Sequence, residues 1–143
     1  MSANSRLTIA VHALAWMELN TRYGNEVATS EQIAGSVNTN PVVVRRLLTD
    51  LRRAGLVASR RGAGAGWTLA HELAAITVLD VYEAVEPGVL FATHRATPNQ
   101  ECPVGFGIRP VMQRVYEGAE QAVRDELIRT TMDDVLRDIL AER

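Results

Sequence analysis

Six arginines and a run of glycines between residues 40 and 66 are the side chains of this sequence best suited to chemistry with a polyanion. Arg45 and Arg46 follow Asn40-Pro41, Arg52 and Arg53 come two turns later, and Arg60-Arg61 lead into Gly62-Ala63-Gly64-Ala65-Gly66. A guanidinium fork grips phosphate oxygens and guanine edges bidentately. All 15 positive charges of the 143-residue chain are arginines. A GC-rich genome would produce the same bias, so the positions matter more than the count. Residues 1–71 hold eight arginines against four carboxylates, a net of +4. Residues 72–143 hold seven against thirteen, a net of −6. A basic front joined to an acidic back suggests a polyanion-binding module attached to something else.

Other chemistries find less support. One cysteine, Cys102, excludes an intrachain disulfide framework, a four-cysteine zinc site and an all-cysteine iron–sulfur cluster. His12 sits near the apolar face of a helix without a Ser/His/Asp order, a carboxylate pair or a phosphate loop around it. No catalytic residue is therefore expected, and the chain does not read as an enzyme. His94 with Cys102 makes two potential metal ligands without a third, which reads better as loop filler than as a metal site. No apolar run reaches the ~18 residues of a membrane span. No basic segment followed by an apolar one opens the chain, so no signal peptide and a cytoplasmic location are expected. A composition 47% hydrophobic and 22% charged suits one domain, or a small domain with an extension.

The elements that must position the arginines follow from periodicity and capping. Leu7, Val11, Leu14 and Ala15 predict a helix over residues 5–20, ended by Tyr23-Gly24-Asn25. Thr29 stands three residues before Gln32, a capping box for a short helix with Ile33, Ala34 and Val37 inward. Asn38-Thr39-Asn40 breaks it. Asn40 then caps a helix with Pro41 in its first turn, burying Val44, Leu47, Leu48 and Leu51 and stopping at Gly55. Residues 56–59 and 67–69 predict two short strands around the glycine turn. Thr77 with Asp80 opens another helix, with Ile76, Leu79, Val81 and Val85 apolar, ended by Pro87-Gly88. Residues 87–107 read as a loop. A long amphipathic helix runs from Ile108 to about Arg129, and Thr130 or Thr131 caps a last helix.

This order predicts a mainly α fold with a small β-hairpin wing, that is, a winged helix-turn-helix followed by a long C-terminal helix. Such a fold serves either DNA binding, which the basic front half favours, or, as the alternative, protein interaction without DNA. The helix begun by Asn40, Pro41 and Val42 would meet a DNA major groove, with Arg45 and Arg46 in reach of bases and phosphates and Thr29 and Ser30 on the preceding helix end. Arg60, Arg61 and Gly62 would bring the wing to the minor groove. Arg52 and Arg53 are either a solvated face or phosphate contacts. Trp67 reads as packing at the wing base rather than as a stacking platform.

These residues also carry a resemblance. Residues 30–34, 41–56 and 59–69, with Leu51-Arg52-Arg53-Ala54-Gly55-Leu56-Val57 and Arg61 to Leu69 as the wing signature, resemble the Rrf2 family of bacterial transcription regulators, the IscR, NsrR and CymR type. Ile76 to Val81 resembles the helix that follows the family's wing. Asn38 to Arg46 and Cys102-Pro103-Val104-Gly105 resemble a YwnA-like branch. The resemblance implies a homodimeric repressor acting on double-stranded DNA and dimerising through the long helix. Cluster-binding members carry three closely spaced cysteines before that helix. Here the loop holds Cys102 alone, so no cofactor is expected. Ala65 replaces a usual glycine.

The expected division is a DNA-binding domain at 1–75, a connecting helix and sensing loop at 76–107, and dimerisation helices at 108–143. Val111, Val115, Ala119 and Val123, helped by Leu136 and Ile139, would form the dimer face. The effector is either an oxidant at Cys102, which is otherwise an inert small hydrophobe, or a small molecule bound near Leu90, Phe91 and Phe106.

Overall fold

The computed structural model describes residues 5–86 and 88–142. Pro87, half of the expected Pro87-Gly88 helix stop, lies outside the described residues. The chain forms two compact units, residues 1–87 with 128–143 and residues 88–127.

The first unit is built on α1 (Arg6–Arg22), whose Ala10, Ala13, Leu14, Ala15 and Met17 are buried. Small alanines let neighbouring helices approach α1 closely, and α2 (Ser30–Val37), α3 (Pro41–Arg53) and α4 (Val78–Val85) all pack on it. The Thr29–Gln32 capping box is complete, with the Thr29 hydroxyl accepting from the Gln32 N–H and the Gln32 side chain accepting from the Thr29 N–H. Asn38 ends α2 in the left-handed conformation, φ 64°, which asparagine tolerates better than most residues. Asn40 Oδ1 accepts the Val42 N–H at 2.8 Å, and Pro41 takes the first position of α3. Val44, Leu47, Leu48 and Leu51 are buried as their spacing requires.

Strands β1 (Val57–Arg60) and β2 (Gly66–Leu69) pair antiparallel, with Val57 opposite Leu69 and Arg60 opposite Gly66. Leu56 lies before the first strand because its N–H still closes the end of α3 on the Leu51 carbonyl. Ala28 and Trp67 exchange two backbone hydrogen bonds, which tie the wing to the segment entering α2. At Gly66 a Cβ would stand 2.8 Å from the Ala28 carbonyl oxygen. That close approach is why the second strand starts on glycine.

After a single 3-10 turn at Leu73–Ala75, α4 begins with the Thr77–Asp80 capping box. The last helix, α6 (Met132–Ala141), begins with the Thr131–Asp134 box. The two entry segments pair: the Val78 N–H donates to the Thr130 carbonyl and the Met132 N–H to the Ile76 carbonyl. Met132 and Leu136 then complete the core formed by Leu14, Ile33, Leu48, Leu51, Ile76 and Val81. The last helix therefore belongs with the N-terminal elements, and the compact units divide the chain differently from the expected three segments. Leu136, expected on the dimer face, is 2% exposed and occupied within its own core.

The second unit holds the segment from Gly88 and one long helix, α5 (Pro103–Leu127). This helix starts five residues before the expected Ile108. Pro103 suits the first turn, and the Phe106 N–H donates to the Cys102 carbonyl. Gly105 and Gly107 interrupt the apolar pattern and mask the start. Gly105 is there because a Cβ would collide with the Asn99 carbonyl oxygen. Of the described residues of α5, none is buried.

Candidate nucleic-acid interface

The α2–turn–α3 pair and the wing place the candidate residues on the surface of the first unit. Asn40 is exposed, and Val42 and Val43 are 40% and 37% exposed at the start of α3. Large aliphatic side chains exposed together at a helix N-terminus are suited to the methyl groups of thymine. Val43 was not among the expected contacts. Three valines in a row, Val42 to Val44, give little signal for which of them face out.

Arg45 and Arg46 are both exposed. Arg45 reaches back to α2, with Nη1 3.4 Å from Glu31 Oε1. The wing repeats the arrangement: Arg60 Nη1 lies 3.3 Å from Glu26 Oε2. Among the described residues, Arg46 and Arg61 have no carboxylate partner. Glu26 and Glu31 lie 34 and 14 residues from their partners, outside any helical or strand period, so the sequence concealed both. Ion pairs this exposed contribute little stability, and a phosphate or a base edge displaces them cheaply.

Arg52 and Arg53 are both exposed and have partners within the unit. Arg52 lies over the Trp67 ring, 5.8 Å from its centroid, and Nη1 donates to Ser59 Oγ at 3.4 Å. Arg53 pairs with Asp50 at 3.9 Å, while Arg6 holds the other oxygen of Asp50 at 2.9 Å. Trp67 is half-buried against the core at the wing base. Gly62 and Gly64 adopt φ 79° and 74°, and the Ala65 N–H closes a turn on the Gly62 carbonyl at 3.0 Å. Ala65 therefore sits in the wing turn without disturbing it. Ser30, expected at the interface, is 5% exposed in the single chain. The Thr29 hydroxyl is committed to its cap.

The second unit holds the candidate sensor. Cys102 is exposed immediately before α5. Backbone N–H groups of Gly105 and then Val104 favour its thiolate and hold the thiol below its ordinary pKa. His94 faces solvent, and its carbonyl, with that of Ala96, accepts Arg109 Nη2 at 2.6 and 2.8 Å. Phe91 stacks on Tyr116 with centroids 5.0 Å apart. A cleft of about 510 Å³ opens beside Thr93, Arg109, Met112 and Tyr116. Of the residues expected to line an effector pocket, Phe91 borders a neighbouring cleft of about 540 Å³. Leu90 and Phe106 face outward at 38% and 68% exposure. Among the described residues, no three His, Cys, Asp or Glu side chains gather as metal ligands. Nor, among them, is any helix long and apolar enough to cross a membrane.

Residues 3–138 match the family model Rrf2, described as iron-dependent transcriptional regulator. The helix-turn-helix-type regulator YwnA of Bacillus subtilis is 39% identical over 137 residues, covering 95% of this chain and 98% of that one. The regulator IscR of Cereibacter sphaeroides is 28% identical over 138 residues, covering 96% and 88%. A crystal structure of a DNA-binding protein, 36% identical, superposes with a TM-score of 0.73 over 92% of this chain and 99% of its own.

Proposed function

The chain belongs to the Rrf2 family and is a DNA-binding transcriptional regulator rather than an enzyme, and on that premise we propose that it acts as a cytoplasmic homodimeric repressor reading a palindromic operator. Asn40, Pro41 and Val42 approach the major groove edge, where the unpaired N–H groups of the α3 N-terminus favour phosphate. Arg45 exchanges Glu31 for guanine O6 and N7, and Arg46 takes phosphate. Arg61 enters the minor groove, with Arg60 nearer the backbone. A narrow groove, which A·T-rich flanks provide, attracts such an arginine.

The observation that carries the dimer is α5. It is 25 residues long, about 37 Å, and its Val111 and Val115 are 47% and 55% exposed. Two copies pairing these residues with Ala119 and Val123 bury a face that one copy leaves in water. Ile139 of α6, also exposed, is free to add to the interface. A two-fold dimer presents two reading heads, hence half-sites one turn, or a multiple of ~10–10.5 base pairs, apart.

The family name raises iron, and the donor set argues against a cluster. One thiol, with no group of three His, Cys, Asp or Glu side chains gathered among the described residues, does not fit a site that clusters fill with several thiolates. The signal we assign instead is oxidation of Cys102. Its thiolate takes one oxygen from a peroxide, releasing hydroxide or an alcohol and leaving a sulfenic acid. That acid condenses with a second thiol, from a small molecule or another subunit, to a disulfide and water. Operator affinity of the wild type and Cys102→Ser, each with and without mild peroxide, tests this. The wild type alone should respond. Equal responses contradict the thiol switch and favour a small-molecule effector in the clefts beside Phe91 and Tyr116.

A further inference from the structure

Arg45 and Arg46 are neighbours on α3, yet they are placed differently. Arg45 Nη1 donates to Glu31 Oε1 at 3.4 Å, while Arg46 has no carboxylate partner among the described residues. Glu31 stands in the first turn of α2. In a helix-turn-helix that helix crosses the DNA backbone while the next one enters the groove. A carboxylate there faces phosphates that repel it. The start of α2 does not depend on it either, because the Thr29–Gln32 box already satisfies that end. Its partner is therefore the reason to look for a role.

We infer that Glu31 is a specificity-determining residue, which holds Arg45 off the phosphates of non-target DNA and releases it to a guanine. The inference rests on the reading of DNA by α3 proposed above. An exposed ion pair is weak, and one phosphate contact in water is of the same order. Taking that contact also leaves the Glu31 carboxylate uncompensated beside the backbone. On non-target DNA Arg45 therefore stays paired. A guanine offers O6 and N7 together to the guanidinium fork, and that bidentate contact outweighs the pair. Arg45 then adds affinity only where its base is present, whereas the unrestrained Arg46 takes phosphate on any sequence. The wing holds a natural control. Arg60 Nη1 donates to Glu26 Oε2 at 3.3 Å, the same chemical pair. Arg60 lies nearer the backbone in the docking proposed above, and every duplex offers it that phosphate. Glu26 therefore lowers affinity for all sequences alike and leaves the preference among them unchanged.

Glu31→Gln keeps the size of the side chain and removes its charge. Binding of the full chain is measured across salt concentrations, on the duplex that the wild type selects and on random duplex. On random duplex, Glu31→Gln should bind roughly fivefold tighter per reading head at ~0.15 M salt, and its salt slope should steepen by about 0.9 per head, as for one more arginine on phosphate. On the selected duplex the gain should be no more than about twofold per head, so the preference falls. In an Arg45→Ala background the same substitution should leave the preference where it was, because no arginine is released. Glu26→Gln should tighten both duplexes by one factor. Equal tightening of both duplexes by Glu31→Gln overturns the inference, since Glu31 then acts as a repelling charge alone. An equal loss of preference with and without Arg45 overturns it too. A wild type that prefers no sequence overturns the reading of DNA itself, and that failure shows before any variant is compared.

Discussion

The two units of this chain solve the problem of a hydrophobic face in opposite ways. The first closes around α1 and seals Leu14, Ile33, Leu48, Leu51, Ile76 and Met132 at 0% exposure. The second is a 25-residue helix with a preceding loop, and its helix has no buried residue. A core that one copy completes makes a reading head that is rigid before it meets DNA. A face that one copy leaves in water would, in the dimer proposed above, tie the stability of that unit to assembly. The first unit positions the arginines, and in that dimer the second would set the distance between two sets of them.

The largest effect expected is in the closed unit. Leu48→Ala should cost about 2–5 kcal/mol in denaturant unfolding, because the site is fully enclosed. Val111→Ala, on the open helix, should change the unfolding of a dilute monomer by no more than ~0.5 kcal/mol. Comparable losses from the two would erase the distinction between the units.

An intermediate effect is expected at the reading surface. Arg45→Ala should cost about 1–3 kcal/mol on the preferred site and relax choice at one base pair, as measured by competition among single-base variants. The same loss on random duplex would show contact with phosphate alone. Arg61→Ala should act differently, flattening the dependence on flank composition while sparing the central bases.

Most of the first unit was legible because its signals are local. Thr29 with Gln32, Asn40 with Pro41, Thr77 with Asp80 and Thr131 with Asp134 each fix a helix start within four residues. The failures are all tertiary. Leu136 and Ile139 share one helix at helical spacing, and the sequence does not say which is sealed by α1. Ser30 reads as polar and accessible, yet it is buried in the single chain. Gly105 reads as a loop residue, but it is the close approach of the Asn99 carbonyl that demands it inside α5. The carboxylates held by Arg45 and Arg60 come from distant segments, so no periodicity reveals them.

Thr131 sharpens the comparison at smaller scale, since its cap fastens α6 to the closed unit. Thr131→Ala should cost about 0.5–2 kcal/mol. The Thr131 N–H, then its hydroxyl, then Arg137 hold the Asp134 carboxyl below its ordinary pKa. A depressed folded-state pKa adds stability above the unfolded value, which is lost as pH falls through the folded one. Asp134→Asn should therefore melt below the wild type at neutral pH and converge with it in acid. The smallest effect belongs to the open unit: Cys102 should be alkylated at half-maximal rate at a lower pH than a free cysteine, because the N–H groups of Gly105 and Val104 favour its thiolate. Reactivity that tracks free cysteine would remove the electrostatic basis for a thiol signal.

The central claim is that rigid reading heads are joined in pairs by α5. Selection of bound sequences from random duplex DNA, with the full chain above its dissociation constant, tests it most directly. The result expected is a palindrome with half-sites a multiple of ~10–10.5 base pairs apart, replaced for Val115→Glu by single half-sites at much weaker affinity. Enrichment of one asymmetric half-site by the wild type, unchanged in Val115→Glu, would contradict it.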